Sequence, residues 1–440
     1  MQSTATLGAA PPLPMARIVR TWWPLAASWL LMTAELPLIS AVIARLAEPS
    51  INLAAWGVVF SISVIIQAPS TMLLAASTAL SQDWDSYRKL RRFTVWLVTA
   101  LTGLHLLLAF TPLYDLVVVR LLGIPTEIIE PARLGLMMMT PWSAGTALRR
   151  FQQGVLIRFD QSQAVVWGSL LRVGADCLVL AAGYLWSGLP GVLVGAGAII
   201  AGVVTEAIYA GWRVRPVLQQ QLKQVTMAGP PLTGRKFLEF YIPLAMTVLL
   251  TMIVQPMVSA ALSRMPQPLE SLAVWPVISG LLVMWQSVGI AYNEAVIALL
   301  DKPNAVRSLR RFTLILVVST TVLLSGMLVT PLAAFWFRRV AALPPALVEL
   351  AEQAMWLGLL LPGLRVLQSW YQGAITYSRH TRGITEAVFI SMLTSATLLV
   401  AGVSWGQVPG LYVGLLAVAV GFLAQTVWLW RRGRQVMPVG

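Results

Sequence analysis

Thiol and imidazole chemistry is nearly absent from this chain, which has one cysteine, Cys177, and two histidines, His105 and His380, far apart in sequence. Neither a disulfide framework nor a Cys/His metal site can be built from them, and Cys177, on an apolar stretch, reads as a small packing residue. The phosphate-cradling pattern Gly-x-x-x-x-Gly-Lys-Ser/Thr is missing too, so ATP hydrolysis by this chain is not expected. Charge is scarce at 11% of residues, and acidic groups are scarcer still, 17 against 31 Lys and Arg. The expectation is no enzyme and no cofactor. Any energy the chain uses then comes from an ion gradient, with H+ or Na+ as the coupling ion.

What fills the chain instead is apolar, with 58% hydrophobic residues and a mean hydropathy of +0.76. A soluble core of this size does not need that much apolar surface. Stretches of roughly 20 residues, the length that crosses ~30 Å of hydrocarbon as a helix, fall at 22–44, 53–80, 93–113, 132–157, 164–186 and 191–212. A second set falls at 241–263, 272–299, 312–332, 351–376, 383–405 and 410–430. The sequence predicts an all-α polytopic membrane protein with 12 transmembrane helices.

The second set repeats the first. A shift of 219 positions aligns Pro24 with Pro243, Pro37 with Pro256, Arg45 with Arg264, Trp56 with Trp275 and Gln67 with Gln286. It also aligns Leu90-Arg91-Arg92-Phe93-Thr94 with Leu309-Arg310-Arg311-Phe312-Thr313, and Gln153-Gly154 with Gln372-Gly373. With six helices per repeat, both halves enter from the same side, so the internal repeat is parallel and its pseudo-twofold axis runs along the membrane normal. The boundaries expected are an N-terminal six-helix bundle at 17–215, a cytoplasmic linker at 216–235 and a C-terminal six-helix bundle at 236–434. The linker contains Gln219-Gln220-Gln221 and Gly229-Pro230-Pro231, a composition suited to exposed chain. Residues 1–16 are expected to be disordered and 435–440 to form a tail. The N-terminus lacks the basic-then-apolar pattern of a cleavable signal, so the first helix is expected to direct insertion itself.

Basic residues predict the orientation. With both termini cytoplasmic, 23 of the 31 Lys and Arg fall on the cytoplasmic side, Arg149 and Arg150 among them, and 6 fall opposite, including Arg45, Arg264 and Arg339. Only Arg172 and Arg365 fall inside helices. This positive-inside bias accounts for the net charge of +14 without nucleic-acid binding. Lean loops suit a prokaryotic inner membrane. The expected partners are membrane lipid and a small-molecule substrate, with the chain acting as a monomer.

Prolines inside helices remove a backbone hydrogen bond and bend the axis. Pro24, Pro37, Pro243 and Pro256 are expected to break the first and seventh helices, and Pro69, Pro141, Pro276 and Pro362 to interrupt the second, fourth, eighth and tenth. They serve either as static kinks or as hinges. The matched glycines Gly191, Gly195, Gly202 and Gly410, Gly414, Gly421 are expected to serve close helix packing.

Function is sought among intramembrane charges, since each costs at least ~2.5 kcal/mol at the bilayer centre unless paired or hydrated. Glu35 lies mid-helix, two residues before Pro37, and its repeat partner is Val254, so the fold does not demand it. It is read either as a carrier of a proton or Na+ or as a hydrogen-bonded structural carboxylate. Arg172 and Asp176 lie four apart on the fifth helix, close enough to pair, and their repeat partners Ser391 and Ser395 are neutral. They form either a fixed salt bridge or a site in which Arg172 is released to an anionic substrate when Asp176 or Glu35 takes up a proton. Arg365 on the tenth helix is either a second anion contact or a snorkelling side chain. Glu206 and Glu294, nearer helix ends, are secondary candidates, and Gln67 and Gln286 either line the cavity or bond across helices.

Twelve helices in two sixes look like the multidrug/oligosaccharidyl-lipid/polysaccharide (MOP) transporter superfamily. So do the passages Pro112-Leu113-Tyr114-Asp115 and Leu121-Leu122-Gly123-Ile124-Pro125-Thr126-Glu127, and the Pro190-Gly191 and Pro409-Gly410 helix starts. The chain resembles MATE exporters over nearly its full length. Trp22-Trp23-Pro24-Leu25-Ala26, Tyr241-Ile242-Pro243-Leu244-Ala245 and Gly202-Val203-Val204-Thr205-Glu206 are also similar to the progressive ankylosis (ANK) branch. The MATE resemblance implies a cation-coupling site in the N-terminal half from Glu35 and Asp176. Arg172 departs from that pattern, where a neutral amide is usual. ANK-type proteins are associated with export of organic anions such as citrate, nucleotides or pyrophosphate, which Arg172 and Arg365 fit better. The reading is thus a cation-coupled secondary active transporter working by alternating access, exporting a small organic anion or amphipathic solute. Its alternatives are a multidrug exporter of cationic drugs, a lipid-linked saccharide flippase and a non-transporting scaffold. The major facilitator type usually carries a glycine-containing Asp-Arg loop after its second helix; here Gln82-Asp83-Trp84-Asp85-Ser86-Tyr87-Arg88 lacks the glycines.

Overall fold

The computed structural model describes residues 13–159, 161–186, 188–224, 233–300, 302, 304–377 and 382–436. The expectations for residues 1–12, for Gly229-Pro230-Pro231 in the linker, for Arg379 and His380 and for residues 437–440 lie outside them. Among the described residues, ten helices are long and apolar enough to cross a membrane. Two further spans are assembled from paired shorter helices.

In chain order, α1 is Met15–Ile43, α2 is Pro49–Gln67 continued through a tight turn by Leu73–Leu80, and α3 is Trp84–Phe110. α4 joins Ile129–Met139 to Pro141–Arg158, α5 is Ser162–Trp186 and α6 is Gly191–Gln220. α7 joins Gly234–Met252 to Val254–Leu262, α8 is Pro268–Leu299 and α9 is Ala305–Val329. α10 joins Pro345–Met355 to Leu361–Tyr377, α11 is Arg382–Trp405 and α12 is Gly410–Val436. The fold is all-α, two sets of six spans, as the repeat predicts.

Local chemistry sets the boundaries. The side chain of Asp83 accepts hydrogen bonds from the Ser86 amide and hydroxyl, both at 2.9 Å, and so caps the start of α3. α1 loosens at Ala34, between Thr33 and Glu35, because Pro37 has no N–H to give the Thr33 carbonyl, although Ala34 keeps helical backbone angles and its bonds to Leu30 and Leu38. Pro256 does the same to α7, which breaks between Met252 and Val254. Pro24, Pro243 and Pro276, expected to interrupt their helices, instead sit inside continuous α-helix. One missing bond in an otherwise complete ladder leaves the helix intact.

The repeat is visible in detail. Glu48 and Gln267 both adopt left-handed conformations (φ 47° and 53°) ahead of α2 and α8. The Asn52 side-chain oxygen accepts from the Val192 amide at 3.1 Å, and at the matching place the Ser271 hydroxyl accepts from Leu411 at 3.2 Å. Each half sends its first helix across to the other. The Trp22 indole donates to the Val288 carbonyl at 3.1 Å, and its ring meets the Phe312 edge at 5.5 Å. In the mirror contact, the Tyr241 ring meets Phe93 at 4.9 Å and its hydroxyl donates to the Pro69 carbonyl. Trp22 and Tyr241, like Phe93 and Phe312, are repeat partners.

Candidate functional site: a carboxylate–guanidinium network

The break in α1 places Glu35 as the first residue of that helix's second segment, facing α5. There its carboxylate forms an ion pair with Arg172. The Arg172 Nε lies 3.8 Å from Oε2 of Glu206 on α6. The same Glu206 oxygen accepts from Nη1 of Arg149 on α4 at 2.7 Å. Oε1 of Glu206 accepts from Gln153 at 2.8 Å and from the Ser169 hydroxyl at 3.2 Å. A continuous chain, Glu35–Arg172–Glu206–Arg149, thus ties α1, α5, α6 and α4 together. Glu206 is wholly buried (0% exposed), and full pairing is what makes its charge tolerable there.

Asp176 sits one turn beyond Arg172 and is buried (1% exposed), yet neither of its oxygens finds a hydrogen-bond donor among the described residues. The pairing expected between Arg172 and Asp176 is not the one observed, since Arg172 is drawn instead to Glu35 and Glu206. The Asp176 carboxylate lines the same cavity wall as Glu35. Gly202 on α6 makes room for Asp176 and Arg172, because a Cβ there would strike Asp176 Oδ1 and would lie 2.8 Å from Arg172 Cγ.

Glu35 and Asp176 form part of the wall of a cavity of about 890 Å³. Leu38, Leu180, Tyr184 and Trp336 supply much of the rest, and Arg45 and Arg339 stand at one end. Arg172 lies behind this wall, committed to its two carboxylates. The crevice on the pseudo-axis between the halves is far smaller, about 40 Å³ around Trp56, Phe60, Gln255 and Trp275.

The remaining candidates do not join this cluster. Arg365 on α10 donates to the Gln368 side chain at 3.3 Å and lies over the Phe422 ring at 5.3 Å, with no carboxylate paired to it among the described residues. Glu294 accepts from the Trp29 indole at 3.0 Å and so fastens α1 to α8. Gln67 and Gln286 are buried, and Gln67 accepts from the Ser70 hydroxyl at 3.4 Å.

Arg149, Gln153 and Ser169 are members of the network that sequence reasoning missed. Arg149 counts toward the cytoplasmic charge in the orientation argument, but the structure buries it within α4. The available signal was position, for Arg149 falls inside the 132–157 stretch predicted to span. The second half keeps the geometry and drops the charge. Glu35, Arg149, Arg172, Asp176 and Glu206 correspond to Val254, Gln368, Ser391, Ser395 and Gln425.

No family model and no curated protein matches the chain. Solved structures do match in fold. A multidrug resistance MATE family transporter of the MOP superfamily, in an inward-facing conformation, aligns with a TM-score of 0.71 at 12% identity, covering 94% of this chain and 97% of its own. The lipid II flippase MurJ, inward closed, aligns at 0.70 and 12% identity, covering 93% and 87%. A MOP superfamily transporter from Pyrococcus furiosus, described as having a binding pocket of reversed polarity, aligns at 0.58 and 15% identity, covering 99% and 98%. The MATE/MOP-like fold expected from the sequence is the fold observed.

Proposed function

We propose that this chain is a secondary active transporter of MOP type that couples one cation, H+ or Na+, to the export of an amphipathic solute by alternating access. The observation that carries the reading is Asp176: a buried carboxylate with no donor among the described residues, sharing the wall of a cavity of about 890 Å³ with Glu35. An unpaired charge costs several kcal/mol in such a place, on the order of 3–5 kcal/mol when a partner is missing. A proton or a monovalent cation shared by Asp176 and Glu35 removes that cost. Glu206, Arg149 and Arg172 hold Glu35 in position, and Arg150, next along α4, adds a further positive charge at longer range.

The cavity favours an amphipathic solute over a small, fully hydrated anion such as citrate. Its walls are largely apolar and aromatic, and Arg172 is occupied by carboxylates. The second reading, export of lipophilic cations, is favoured by the same pair of carboxylates in an apolar wall. Anion export would require Arg172 to leave Glu35 once Glu35 is protonated, or a contact from Arg45 or Arg339 at the end of the cavity, or from Arg365, which has no carboxylate partner among the described residues.

The test is solute flux in proteoliposomes under imposed H+ or Na+ gradients, comparing citrate, an amphipathic anion and a cationic dye. Wild type, Glu35→Gln and Asp176→Asn are measured side by side. Gradient-driven flux that disappears in both variants supports the reading, and the solute that moves selects between its two forms. Flux unaffected by either substitution removes these residues from coupling.

A further inference from the structure

At the face opposite the basic loops, Arg45 and Arg264 bridge the two halves in the same way. Arg45 lies at the end of α1, where its Nη1 donates to the Ala41 carbonyl one turn back at 2.6 Å and to the Val340 carbonyl of the other half at 2.8 Å. Its Nη2 donates to the Arg339 carbonyl. Arg264 lies at the end of α7, where its Nη1 donates to Ala260 at 2.7 Å and across to Leu122 at 2.9 Å, while Nη2 donates to Leu121. Each guanidinium therefore braces itself on its own helix and grips two backbone carbonyls of the opposite bundle.

The acceptors are built for this grip. They lie at the ends of two matched wide turns, Asp115–Leu121 and Trp336–Val340, with Leu122 one residue beyond the first, and these carbonyls have no partner in the turn itself. Each turn is followed by a left-handed residue, Gly123 (φ 66°) or Ala342 (φ 51°), which swings the chain away and leaves those carbonyls facing the arginine. A planar fork with several donors can satisfy two carbonyls and a helix brace at once, whereas an ammonium group is a single point of charge.

We propose that Arg45 and Arg264 form a two-armed latch that holds the bundles shut at this face, and that a transport cycle must release it. This rests on the transporter reading above and adds the residues that gate it. Both arginines are exposed, so water can replace each bond as it breaks, which suits a contact that opens repeatedly. At the opposite face the halves meet instead through aromatic contacts, Trp22 on Phe312 and Tyr241 on Phe93, with no matching arginine–carbonyl bridge among the described residues. Arg45, Arg339 and Val340 also border the cavity that holds Glu35 and Asp176, so release of that arm widens the end of the cavity at which they stand.

The latch can be tested without any solute. Ser40 lies on α1 shortly before Arg45, is 1% exposed and borders the small crevice between the halves. In a Cys177→Ala background, Ser40→Cys is labelled with a membrane-impermeant maleimide in proteoliposomes. Removing both arms with Arg45→Ala and Arg264→Ala is expected to raise the labelling rate by about tenfold, with each single substitution intermediate. Arg45→Lys with Arg264→Lys is expected to accelerate labelling as well, and serves if the alanine pair does not fold. Labelling at the parental rate in a folded, monodisperse double variant overturns the proposal. Because this readout needs no substrate, absence of flux in any gradient counts against the transporter reading and leaves the latch result standing.

Discussion

Asp176 of the first bundle and Ser395 of the second stand in the same place, 219 positions apart, each pressed against a glycine of the neighbouring helix, Gly202 or Gly421. The Ser395 hydroxyl donates to the Ala417 carbonyl at 3.1 Å, whereas the Asp176 oxygens find no donor among the described residues. One backbone frame therefore holds a satisfied hydroxyl in one half and an unsatisfied carboxylate in the other.

The first prediction follows from that contrast. Asp176→Asn replaces a buried carboxyl that has no hydrogen-bond donor among the described residues and keeps the shape, so thermal unfolding in detergent is expected to show unchanged or higher stability, by up to about 1 kcal/mol. Gradient-driven flux is expected to vanish in the same protein. A clear drop in stability would mean that Asp176 is structural.

Glu206 is expected to behave in the opposite way. Glu206→Ala strands Arg149 and Gln153 in a buried position, at a cost of about 3–5 kcal/mol. The equivalent Gln425→Ala in the second half removes only a neutral amide, for about 1 kcal/mol. Unfolding midpoints of the two variants, compared in one detergent, provide the check.

Gly154 and Gly373 are repeat partners in different surroundings. A Cβ on Gly154 would lie 2.6 Å from the Leu74 carbonyl oxygen and 2.9 Å from the Thr78 amide nitrogen, both backbone atoms of α2. On Gly373 its nearest neighbour is a Val296 methyl at 2.6 Å, part of a side chain that can shift. Gly154→Ala is expected to cost about 3 kcal/mol or more and Gly373→Ala about 1 kcal/mol. Folded yield and thermal midpoint distinguish them, and equal losses would contradict the packing described.

Ala342 occupies the left-handed position that Gly123 fills in the first half. An L-residue with a Cβ pays roughly 1–2 kcal/mol in that region, so Ala342→Gly is expected to raise stability by about 0.5–1 kcal/mol once the greater freedom of glycine in the unfolded chain is offset. A lower midpoint in thermal denaturation would contradict this.

Much of the architecture was legible before any coordinates, because a repeat of 219 residues and long apolar runs are local, one-dimensional signals. The spans, the breaks at Pro37 and Pro256 and the short set of intramembrane charges, Glu35, Arg172, Asp176, Glu206, Glu294 and Arg365, all came from them. Pairing was not legible. Helical spacing pointed Arg172 at Asp176, four residues along the same face, but a guanidinium takes the carboxylates that other helices bring to it. The spacing rule contains no information about α1 or α6.

Arg149 shows the same limit from another side. Counting charges by loop gave it to the cytoplasmic face, because sequence registers a positive residue near a helix end and cannot register that Glu206 waits 57 positions away. The sequence by itself determined a membrane protein of two parallel six-helix bundles with few intramembrane charges, since hydrophobic length and periodicity are properties of the chain alone. Only the tertiary structure decided which charges meet, which carboxylate is left without a donor and which arginines join the halves. Those depend on helix crossings and on backbone carbonyls that carry no side-chain signature.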